Sequence, residues 1–156
     1  MRTHSDTMSR LASVQQLVLF SLGGRRFGVN VAKVREIRGW QPVTELPHGS
    51  EFMIGVINLR GLVVPVFDLQ AMLGFRPGDT ASGVVIVIEH AGHSAGFLAD
   101  GVSDIINVTP EQFSAPPSGT GCAEELLHAM IIQGDDIIGL LDLSAIVPAA
   151  QDLIAA

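Results

Sequence analysis

Charge is scarce in this chain. Of its 156 residues only 16% are charged, Lys33 is the single lysine beside eight arginines, and the formal net charge is −7. A nucleic-acid binder needs a basic stripe that displaces counterions from phosphate. The only adjacent basic pair, Arg25 and Arg26, reads as the turn of a hairpin, so no nucleic-acid partner is expected. Cysteine is nearly absent too: Cys122 stands alone and cannot close an intrachain disulfide, which suits a reducing cytoplasm. No apolar run approaches the ~20 residues a membrane helix requires. The first such run, Leu17 to Leu22, has the length of a strand, and Met1 to Ser13 lacks the apolar core of a signal peptide. These absences point to a soluble intracellular protein with no membrane insertion.

What the chain has is apolar residue, at 47%, punctuated by 17 glycines and 8 prolines spread along its length. Many turns imply many short strands. With so few charges, part of the exterior must be apolar, and large exposed apolar patches mark interaction sites.

The sequence also repeats itself. A shift that lays Leu17-Val18-Leu19-Phe20 on Val85-Ile86-Val87-Ile88 also brings Gly24 onto Gly92, Gly28 onto Gly96, Val34 onto Val102, Glu36 onto Asp104, Ile37 onto Ile105 and Pro42 onto Pro110. A few residues of extra offset lay Val63 to Leu69 on Ile137 to Leu143. Each half reads as strand, glycine-bearing turn, strand, a V-x-acid-I segment, a proline-marked link, and a final strand ending in Asp-Leu. Asp68 and Asp142 then stand where a helix N-cap belongs, with Gly74 and Pro148 as stops. The expected fold is all-β: two related small barrels, each too small to be stable alone, packed side by side on a shared apolar seam.

Catalytic constellations fail one by one. His90 and His93 have a spacing that can hold a metal, but they flank a hairpin turn with no cysteine or clustered carboxylate nearby in sequence. His4, His48 and His128 read as surface residues. Cys122 has no assignable base to lower its pKa, and Gly119 and Gly121 lack the lysine and helix of a phosphate-binding loop. No cofactor, metal or small-molecule substrate is expected. An enzyme built on Cys122 or the His90/His93 pair, and a ligand-binding barrel, stand as alternatives; the latter requires a cavity where Val, Ile and Leu fill the inward positions.

One ion interrupts the uncharged run Gly55 to Phe67: Arg60, in Asn58-Leu59-Arg60-Gly61, with Asp68 closing the stretch. A guanidinium stays charged at any accessible pH, so Arg60 must pair with an acid or reach a surface where something reads it. This segment, with Val34-Arg35-Glu36-Ile37-Arg38-Gly39 before it and Asp100-Gly101-Val102-Ser103-Asp104-Ile105 after it, resembles the CheW family of chemotaxis coupling proteins, from about Leu17 to about Val147.

The resemblance implies two five-stranded SH3-like barrels and a non-catalytic adaptor. Such an adaptor bridges chemoreceptor cytoplasmic helical tips to the regulatory domain of a histidine kinase, at receptor clusters on the inner membrane. The equivalent adaptor of a pilus-motility or other chemosensory pathway is the alternative within the fold. By the same resemblance Val34, Glu36, Ile37, Arg60, Val102 and Ile105 belong to a receptor-binding groove, and Gly55 to the kinase contact. Glu36 is the partner expected for Arg60. The four apolar residues serve equally well as core, Trp40 as loop anchor or core, and Gly28, Gly55, Gly61 and Gly96 as sites of close backbone approach or bulges. The expected organisation is a tail at 1–13, one domain over 14–150, and a second tail at 151–156. Within the domain two subdomains intertwine, roughly 14–74 with the C-terminal strand region and 83–135.

Overall fold

Runs of valine, isoleucine and leucine broken by two-residue turns leave the backbone one economical solution, the antiparallel hairpin. A computed structural model describes residues 16–39, 43–44, 52–76, 83–116 and 124–148. The strands are β1 (Gln16–Leu22), β2 (Arg25–Asn30), β3 (Val34–Gly39), β4 (Met53–Leu59), β5 (Leu62–Phe67), β6 (Val84–His90), β7 (His93–Ala99), β8 (Gly101–Asn107), β9 (Phe113–Ser114), β10 (Leu127–Gln133) and β11 (Asp136–Leu141). A short helix α1 (Leu69–Met72) follows β5, and residues 143–148 are helical after β11. The Asp68 carboxylate accepts from the Ala71 amide at 3.1 Å, and Asp142 accepts from the Ser144 amide at 3.0 Å, so both aspartates cap their helices.

The strands form two sheets. One runs β8-β1-β2-β11-β10-β9, the other β3-β6-β7-β5-β4, with Thr44 bridging to Val56 on the outer side of β4. Replacing each strand by its repeat counterpart turns one order into the other. Each sheet takes strands from both halves of the chain, and β11, from the C-terminal strand region, lies in the sheet of β1 and β2. The cause is a pair of parallel contacts, β11 on β2 and β5 on β7, together with the third strand of each half crossing to the other half's hairpin. The two tails lie outside the described residues.

Each sheet closes on itself. The chain leaving edge strand β3 comes round to pair with β4, and the chain leaving β8 comes round as β9 to pair with β10, so first and last edges are neighbours in sequence. Closure gives each barrel an interior: Leu17, Leu19, Ile131, Ile138 and Leu140 in one, Ile57, Leu59, Val64, Val85 and Val87 in the other. The opposite faces meet in a third, larger cluster that includes Phe20, Phe27, Phe67, Ile86, Phe97 and Ile146. Both faces of β1 and β6 are therefore buried, which explains why they read as continuous apolar runs.

Candidate protein-binding surface

The β4–β5 hairpin turns on Arg60 and Gly61, with φ of 54° and 86°. Two residues in the left-handed region make the turn whose twist matches the flanking strands, but a non-glycine residue there is strained by about 1 kcal/mol. The turn is fastened by the Gly61 amide donating to the Asn58 side-chain oxygen at 2.8 Å. Arg60 is thus held at the hairpin tip, and its side chain is 71% exposed.

Glu36, on β3, supplies the partner. Arg60 Nη2 donates to its Oε2 at 2.7 Å, while Arg38 Nη1 donates to its Oε1 at 3.0 Å. The Glu36 side chain is only 19% exposed, so one sheltered carboxylate holds two arginines, one oxygen each, and the cluster keeps a net positive charge. β3 and β4 are the two outer strands of their sheet. The pair therefore also spans the line along which that barrel closes. The expected Arg60–Glu36 ion pair is present; Arg38 was not anticipated, although two residues along one strand share a face and could have indicated it.

The other residues divide between two edge strands. Val34, Glu36 and Ile37 lie on β3, and Val102 and Ile105 on β8, the edge of the other sheet. Val34 and Val102 are half-buried against the shared cluster, as margin of the core. Ile37 and Ile105, equivalent in the repeat, are 42% and 54% exposed. Both edge strands carry a bulge at the same point of the repeat, between Val34 and Glu36 and between Val102 and Asp104. Bulges re-aim side chains and blunt an edge against indiscriminate strand pairing. Arg35 pairs with Glu89 at 3.0 Å on the neighbouring strand β6.

Gly55 is buried in β4, and a Cβ there would lie 2.5 Å from the Thr44 carbonyl oxygen. Backbone approach accounts for the glycine. His90 and His93 are paired across the Ala91–Gly92 turn, and His128 lies within β10 rather than before it. Among the described residues no three His, Cys, Asp or Glu side chains converge on a metal-sized site. No helix among them is long and apolar enough to cross a membrane. Trp40, Cys122, His4 and His48 fall outside the described residues.

Known proteins fit this architecture. The profile of a family described as "CheW-like domain" matches residues 16–151. A "Probable chemotaxis protein CheW" of Rhizobium etli is 42% identical over 134 residues, covering 85% of this chain and 86% of that protein. The "Chemotaxis protein CheW" of Rhizobium meliloti is 36% identical, with 88% and 90% covered. Among solved structures, the scaffolding protein TtCheW from Thermoanaerobacter tengcongensis superposes with a TM-score of 0.76 at 28% identity, covering 83% of this chain and 84% of that one.

Proposed function

Because the chain belongs to the CheW-like domain family, we propose that it is a non-enzymatic chemotaxis adaptor holding the cytoplasmic helical tip of a chemoreceptor and the regulatory domain of a histidine kinase together. Its relatives carry the name of chemotaxis proteins and one solved neighbour that of a scaffold. An adaptor of this kind works in the cytoplasm at receptor clusters. Linking two weak contacts in one small body raises effective concentration without new chemistry.

The observation that carries the reading is Arg60. A charged side chain set at a strained hairpin tip, anchored by a sheltered carboxylate and mostly exposed, is built to present donors outward. We place receptor contact on β3 with Glu36 and Ile37, at the β4–β5 hairpin tip with Arg60, and on β8 with Ile105, with Val34 and Val102 backing them. Exposed apolar side chains on two edge strands, with Arg60 offering donors at the hairpin tip, suit an amphipathic helix. Gly55 is assigned to the kinase side through the β4 edge, which its close packing against Thr44 of the same chain holds in place. The test is the affinity of Arg60→Ala, and separately Ile105→Ser, for a receptor-tip fragment. Each should weaken binding at least tenfold with the fold intact; wild-type affinity in both would overturn the assignment.

A further inference from the structure

A second feature lies away from the Glu36 edge, on the six-stranded sheet. Strands β2 and β11 run parallel, yet their register contains only Phe27 with Gly139 and Gly28 with Leu140. Upstream of those pairs, Arg25 and Arg26 on one strand and Asp136 to Ile138 on the other are not laddered together. The splay opens a groove of about 380 Å³ floored by Phe27, Phe75, Leu127, Met130 and Ile137. Ile137 is 61% exposed, and its cross-strand partner Ile132 is 47% exposed.

The rim is basic. Arg26 is held by Asp136 at 2.9 Å, but Arg25 has its guanidinium 4.0 Å over the Phe75 ring and no carboxylate partner among the described residues. The repeat-related hollow beside β5 and β7 makes a useful contrast. There His93 and Ser94 stand where Arg25 and Arg26 stand here, and the neighbouring arginine, Arg35, is already paired with Glu89.

We propose that this groove is a third protein-docking site, which takes a short segment of a partner carrying a large apolar side chain beside an Asp or Glu. The apolar side chain enters between Phe75, Met130 and Ile137. The carboxylate meets Arg25, whose donors are already oriented by the aromatic ring beneath it. Charge complementarity selects an acidic segment over a basic one, and the groove's size admits a few residues rather than a domain.

The test pans a library of random twelve-residue peptides against the full chain and maps the winners by NMR on protein labelled at the Met methyls. Recovered peptides should be enriched in an acid adjacent to Leu, Ile, Phe or Met, and should shift the Met130 methyl. Arg25→Gln and Ile137→Thr should each weaken them at least tenfold. Both residues are exposed, and an unchanged amide spectrum checks the fold of each variant. No acidic bias, unchanged binding in both variants, shifts confined to β3 and β8, or contacts showing that the chain's own segment already fills the groove would each overturn the proposal.

Discussion

Arg60 concentrates the argument at the scale of single residues. Its pairing with Glu36 is mostly solvent-exposed on the arginine side, and exposed pairs contribute only about 0–1 kcal/mol. Arg60→Asn keeps a side chain that tolerates a positive φ and should leave stability unchanged or raise it by roughly 0.5–1 kcal/mol, while receptor binding falls. Denaturant titration and a binding isotherm on the same preparation separate the two effects. Glu36→Gln is the opposite case, because it leaves Arg38 and Arg60 facing each other without their shared anion. A loss of about 1–2 kcal/mol is expected, partly recovered at high salt, where screening relieves the repulsion between the arginines. The ion pair was legible in the sequence because a lone charge inside an apolar run demands a partner. Arg38 was less so, since its side chain joins the same carboxylate only once the strand geometry is known.

At the scale of elements, the repeat forecast strand order and caps well: Asp68 and Asp142 cap as expected, and the V-x-acid-I segments became the two bulged edge strands β3 and β8. The sequence indicated that the halves intertwine, with the C-terminal strand region beside the first, but not which strands would pair. The β2–β11 and β5–β7 contacts are short parallel pairings between distant segments, and nothing local encodes them. Nor could alternation distinguish core from surface on β3 and β8, where bulges shift the phase. Gly55 gives a direct test of element closure. Gly55→Val would drive a side chain into the Thr44 backbone, which cannot yield as a flexible side chain does. Overpacking of this kind costs about 1–3 kcal/mol. Faster hydrogen exchange at the Thr44 and Val56 amides, which bond each other's carbonyls, should report loss of the bridge. Unchanged protection would show that the bridge is not what Gly55 serves.

For the whole molecule, the shared cluster and the exchanged strands make the two barrels one folding unit. Phe20 and Phe67 are fully buried in that cluster from opposite sheets. Truncating either to Ala should cost about 3–5 kcal/mol and lower a single cooperative transition rather than melting one barrel first. Two transitions resolved by calorimetry would contradict that. A rigid single body is also what a coupling protein needs, since a contact made on one barrel keeps a fixed relation to a contact made on the other. The most direct measurement is calorimetric titration of the full chain into the regulatory domain of the histidine kinase from the same organism, alone and with a saturating receptor-tip fragment. Saturable one-to-one binding that survives saturation with receptor is the predicted result. Absence of kinase binding, or its loss when receptor is added, would contradict the coupling role.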